Sequence, residues 1–165
     1  MKTFERHFVT INEWQVLLML AAMAVIVFTN VALRYLTNFS LTWAEEVARY
    51  LMIWMTFLGA GLVLRSGGHV AITNLHDLVP DRASRALRMV VSMLLLCFFA
   101  GMAWFGHDYM SRMGRQLTPA TRIPFYTIYA AMPVGFALLI VHFLLVLKDY
   151  ALTGGSTDDV PANGD

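Results

Sequence analysis

The chain has 165 residues, of which 58% are hydrophobic and only 14% are charged, with a net charge of +1. A soluble domain of this size leaves much of its chain exposed and usually carries about 25% charged residues. The composition therefore names lipid as the main solvent, and it excludes a soluble enzyme, a nucleic-acid binder and a disulfide scaffold. The single cysteine, Cys97, sits in an apolar run and reads as a small membrane-helix residue.

In chain order, the first charge-free run is Trp14 to Leu33. A spanning helix needs about 20 apolar residues, so this run suffices alone. It is longer than a signal-peptide core and shows Asn30 near its end and Arg34 after it rather than a small-residue cleavage site, so it reads as a retained helix. The second run, Tyr50 to Leu64, is too short to cross by itself. Its helix must reach back through Arg49, Glu46 and Glu45 to Trp43, with Thr42 as N-cap in a Thr-x-x-Glu capping box. Arg49 then stands three and four residues from Glu46 and Glu45, close enough to pair on one face. Arg34 and Asn30, at the end of the first span, can reach the same cluster across the short loop. This charge cluster either caps a helix and locks the hairpin, or it is a contact surface for a partner subunit or docking protein. An ion path is disfavoured, because beyond Arg49 the helix continues Tyr-Leu-Met-Ile-Trp-Met.

Gly59, Ala60 and Gly61 permit close helix packing later in this span, as do Ala131 and Gly135 in the last one. A turn follows at Arg65, Gly67 and His69, then an amphipathic segment over 70–80 that suits the membrane interface and is ended by Pro80. The third run extends from Met89 to His107, and the fourth from Ile123 to Leu147, where Pro133 should kink the helix. The tail over 153–165 is rich in Gly, Ser and Asp and reads as disordered.

The fold class expected is an all-α polytopic membrane protein: a single membrane domain over 1–152, with spans over about 14–36, 43–64, 87–110 and 124–148 and one short interfacial helix. Lys2, Arg6, Arg65, Arg82, Arg85, Arg88 and Lys148 outnumber Arg34, Arg112, Arg115 and Arg122, which puts both termini in the cytoplasm. No nucleotide loop, zinc motif, nucleophile elbow or catalytic carboxylate pair is present, so no catalytic residue, cofactor or metal is expected. His107 lies near the exit of the third span and His142 about 27 Å along the fourth from its start, so they fall near opposite membrane faces and cannot share one haem.

The order Asn30-Val-x-x-Arg34-Tyr35, Ser40-x-x-Trp43-x-Glu45-Glu46-x-x-Arg49-Tyr50, Trp54, Leu58-Gly59-Ala60 and Arg65-x-Gly67-x-His69 resembles the small integral membrane subunit, DctQ type, of tripartite ATP-independent periplasmic (TRAP) transporters. The clear likeness covers about residues 25–70; the last two spans match only as apolar helices. The resemblance implies a bacterial inner-membrane protein paired one-to-one with a large membrane subunit that holds the substrate and sodium sites. It also implies a periplasmic binding protein that delivers an organic acid, with this chain as a non-translocating scaffold. The alternative is a membrane anchor or assembly subunit of a quinone- or haem-containing enzyme complex, which a Soret band in the purified protein would reveal.

Overall fold

A computed structural model describes the backbone over 2–67 and 81–153 and the side chains over 6–65 and 89–145. Among the described residues five helices follow in order: α1 (Lys2–Thr37), α2 (Thr42–Gly67), α3 (Asp81–Arg112), the short α4 (Phe125–Tyr129) and α5 (Ala131–Thr153). Of these residues, four stretches are long and apolar enough to cross a membrane: Arg6–Thr37, Thr42–Arg65, Met89–Arg112 and Phe125–Leu145. The protein is therefore an all-α polytopic membrane protein. The expected interfacial segment over 70–80, His69 and the tail beyond Thr153 lie outside the described residues.

Helix boundaries differ from the sequence expectation where polar residues extend a helix. Helix α1 runs back to Lys2, through Glu13 and Arg6, instead of starting near residue 14. Helix α2 continues through Arg65 and Gly67, so those two residues end a helix rather than forming a turn outside it. At the other end of α1 the chain stops at Asn38, whose φ of 53° is the left-handed geometry that closes helices and that Asn tolerates.

Near Pro133 the fourth span is interrupted for a single residue and then continues. The fourth span divides at Ala130, and Pro133 lies in the first turn of α5. There its missing N–H costs little, because first-turn N–H groups have no partner within their own helix. Ala130 keeps helical angles (φ −58°, ψ −23°), its N–H donates to Tyr126 O at 2.9 Å and its carbonyl accepts from Val134 N at 3.1 Å, so the helical backbone carries on through it.

The main packing pairs are α1 with α2, α2 with α5, and α5 with α3. The helices therefore stand in the order α1–α2–α5–α3, with α1 and α3 outermost. Helices α2 and α5 run parallel, since Phe57 meets Gly135 and, further along both, Gly61 meets His142. The loops over 38–41 and 113–124 share one end, the loop end; both chain termini share the other.

Small residues set the close approaches. A Cβ on Gly135 would come within 2.6 Å of Phe57 Cβ and 3.0 Å of its carbonyl oxygen. One on Gly106 would come within 2.9 Å of Met132. Around Gly135 a set of phenylalanines fills the middle: Phe136 lies 6.0 Å from Phe57, 6.4 Å from Phe98 and 6.3 Å from Phe99, and Phe99 lies 6.0 Å from Phe143. Such edge-on and tilted contacts suit aromatic rings in an apolar core.

Helix α1 buries the least of the four spans, and α3 also keeps a large apolar face exposed. Only 6% of the most apolar stretch of α1 is buried, against 28% in the last span. Trp14, Leu18, Val25 and Phe28 on α1 and Met93, Leu94, Trp104 and Phe105 on α3 are all exposed. In a bilayer this apolar surface costs nothing against lipid tails.

Candidate functional site

Polar groups concentrate at the two ends of the helix layer. At the loop end, Asn30 is buried and its Oδ1 accepts the backbone N–H of Leu41 at 2.8 Å. That N–H would otherwise be orphaned at the start of α2. Because α2 begins at Thr42, the cap position belongs to Leu41, and among the described residues no capping-box bond forms between Thr42 and Glu45. The neighbouring helix α1 supplies the acceptor instead.

Glu46 does not pair with Arg49 as helical spacing suggested. Its Oε1 accepts the backbone N–H of Ala120 at 3.0 Å, and its Oε2 accepts the N–H and the hydroxyl of Thr121, each at 2.9 Å. A carboxylate taking backbone N–H groups makes a charge-assisted bond, stronger than a neutral one. The loop is built to present those groups. Thr118 is fully buried, its hydroxyl meets that of Thr121 at 2.7 Å, and it also accepts the N–H of Ile123 at 3.0 Å. Thr118 N donates to Ile123 O at 3.0 Å, Phe125 N donates to Gln116 O at 2.9 Å, and Leu117 bridges to Pro124. Arg122 adopts φ 56° to close the turn.

The other members of the expected cluster are exposed. Arg34 stacks over the ring of Tyr35 at 5.5 Å. Arg49, Glu45 and Trp43 face outward, and among the described residues neither arginine forms an ion pair with Glu45 or Glu46. The structure thus separates the six sequence-selected residues into two that fasten the fold, Asn30 and Glu46, and four that present side chains outward. Of the small residues, Gly61 is buried and packs against His142, Ala60 is half-buried, and Gly59 has open space where a Cβ would stand.

The terminal end holds a polar contact that sequence reading missed. Asn12 is 2% exposed and His142 is 0% exposed. Asn12 Nδ2 donates to Leu58 O at 3.0 Å and lies 3.2 Å from His142 Nε2. Asn12 precedes the charge-free run that begins at Trp14, so it read as flanking sequence. The available signal is its spacing from Asn30: 18 residues is five turns, which puts both on one face of α1. His107 is exposed on α3, away from this contact. Among the described residues no three His, Cys, Asp or Glu side chains gather to hold a metal.

Residues 23–151 match the family model for tripartite ATP-independent periplasmic transporters, DctQ component. The chain belongs to the DctQ family. Three relatives carry names of the same kind. A putative TRAP transporter small permease protein of Haemophilus influenzae is 40% identical over 47% of this chain and 48% of its own length. The isethionate TRAP transporter permease protein DctMQ of Oleidesulfovibrio alaskensis is 28% identical over 72% of this chain and 19% of its own. The C4-dicarboxylate TRAP transporter small permease protein DctQ of Vibrio cholerae is 26% identical over 83% of this chain and 69% of its own. The match with the Haemophilus protein thus spans about half of that relative's length.

In DctQ terms, the matched stretch includes Asn30, Glu46 and the loop that Glu46 holds, together with Gly61 and His142. It begins after Asn12. The chain is thus a multi-pass membrane protein of the DctQ family.

Proposed function

We propose that this chain is the small, non-translocating scaffold subunit of a sodium-coupled TRAP-type importer for organic acids. It works with a large membrane subunit and a periplasmic substrate-binding protein. The observation that carries this reading is the distribution of polarity. Among the described residues, the polar side chains engaged between helices fall in two separate places, Asn30 and Glu46 at the loop end and Asn12 and His142 toward the other, with Phe57, Phe99 and Phe136 between them. A solute or ion path needs polar or ionisable groups in series across the membrane, and His142, the buried ionisable group of the last span, is parted from Glu46 by these rings. A layer closed by phenylalanines suits a rigid support instead.

The names of the relatives support the substrate class, since isethionate and C4-dicarboxylates are organic acids. The DctMQ relative, of which this chain matches only 19%, supports a much larger membrane partner, here taken one-to-one. The excess of basic residues at the terminal end supports an inner-membrane topology with both termini cytoplasmic and the loop end periplasmic. Arg34, Trp43, Glu45 and Arg49 then face the periplasm, where partner subunits could touch them.

Reconstitution in proteoliposomes tests the reading. Sodium-driven uptake of an organic acid is expected only with the large subunit, this chain and the binding protein together. Uptake by this chain alone, or full uptake without it, would overturn the proposal.

A further inference from the structure

The contact between Asn12 and His142 has a chemical consequence that the transport reading does not use. We propose that His142 is a neutral imidazole carrying its proton on Nδ1, and that its Nε2 accepts a hydrogen from Asn12, so the pair clamps α1 onto α2 and α5.

The orientation of the Asn12 amide is fixed by a backbone group. Its Nδ2 donates to Leu58 O at 3.0 Å, and flipping the amide would set oxygen against oxygen there. Nδ2 therefore faces His142 Nε2 at 3.2 Å with its second hydrogen. A ring nitrogen that receives a hydrogen must offer its lone pair. A neutral imidazole has one N–H, which leaves Nδ1 as its site. A doubly protonated ring would set N–H against N–H.

Packing holds the ring in this pose from three helices. The Phe8 ring of α1 lies 5.0 Å away, tilted by 46°. On α2, Gly61 makes room, since a Cβ there would run into His142 Cδ2. Helix α5 carries the histidine itself. Both polar side chains are sealed from solvent, so each bond lacks competition from water, while His142 Nδ1 and Asn12 Oδ1 find no hydrogen-bond partner among the described residues; the Arg65 guanidinium of α2 faces the ring and opposes a second proton on it. The clamp matters most for α1, an outer helix with little buried surface. Asn12 also stands outside the family-matched stretch, so the clamp joins a residue before that stretch to one within it.

The full chain, purified in detergent or nanodiscs with its histidines labelled with 15N, tests the tautomer. The His142 signals are assigned by difference from His142→Phe, or from Asn12→Leu should that variant not fold. A neutral ring protonated on Nδ1 at neutral pH is expected. A ring protonated on Nε2, or on both nitrogens, would overturn the proposal. Thermal unfolding tests the clamp. Asn12→Leu and His142→Phe should each lower Tm by about 4 °C or more, and the double variant should fall no further than the worse single one. Gly61→Ala should lower Tm as well by displacing the ring, while Gly59→Ala, with open space, should not. Additive losses, or equal effects at Gly59 and Gly61, would overturn the clamp.

Discussion

Asn12 and Asn30 stand five helical turns apart on one face of α1, and they bond the backbone within α2 and at its N-cap, respectively. Asn12 donates to Leu58 O at 3.0 Å, and Asn30 accepts from Leu41 N at 2.8 Å. Lipid gives little apolar drive for one helix to leave the bilayer and join another, so buried hydrogen bonds and close packing must set the register. The two asparagines fix α1 at both ends of its contact with α2, while the surface between them stays largely exposed.

The loop-end bond should be measurable by deletion. Asn30→Ala leaves the Leu41 N–H at the start of α2 without its acceptor. The bond is part-buried, so the expected cost is about 1 kcal/mol, the net worth of a typical hydrogen bond. Reversible unfolding of the purified chain checks this, and a loss below about 0.5 kcal/mol would show that water replaces the bond at the membrane edge.

Glu46 takes a hydrogen bond from Tyr50 of its own helix but three from the loop, so its loss should be felt chiefly in the loop. Glu46→Gln removes the charge and one of the two acceptor oxygens that receive Ala120 N, Thr121 N and the Thr121 hydroxyl. Hydrogen exchange at the Ala120 and Thr121 amides should accelerate, while amides in the body of α2 keep their protection. Glu45→Gln, at an exposed neighbour, should leave all of them unchanged. Equal effects from the two variants would return Glu46 to a simple helix-start role.

Close helix packing makes an equally local prediction. Gly135→Ala places a methyl group against Phe57 Cβ and backbone carbonyl, neither of which can rotate away. Overpacking of this kind costs about 1–3 kcal/mol. Gly101→Ala, with nothing within 4 Å, should be neutral or slightly stabilising through helix propensity. Comparing the two in one unfolding assay separates packing from the backbone effect of losing a glycine.

The spans were legible because apolar run length responds directly to the bilayer. Their ends were less so. Charges at Arg6 and Glu13 marked the edge of the apolar run but did not stop α1, since a helix can leave the membrane without unwinding. The pairing of Glu46 was misjudged because helical spacing sees only neighbours within one turn. Thr121, 75 residues away, competes with backbone and hydroxyl donors that no local pattern reveals. Thr118 carries the same lesson, since its complete burial depends on the loop folding back on itself. His142 read as a lone histidine on an apolar helix because both its partners, Asn12 and the space at Gly61, come from other helices.

The outward charges make the sharpest test of the proposed role. Arg34, Glu45 and Arg49 are exposed, and none of them has an ion-pair partner among the described residues. Exposed charges without such engagement contribute little to folding, so Arg34→Gln, Glu45→Gln and Arg49→Gln should each change stability by less than about 0.5 kcal/mol. A long side chain at the membrane edge still invites a partner, because its charge is already near water and its stem lies on apolar surface. If these residues meet other subunits, the triple variant should insert and unfold like the wild type yet lose co-purification with the large subunit or uptake in the reconstituted system. A fall in the stability of the isolated chain would place the charges in its own fold. Unchanged assembly and uptake would remove them from the interface, leaving Asn30 and Glu46 as the residues of this end that matter, both through the shape of the chain itself.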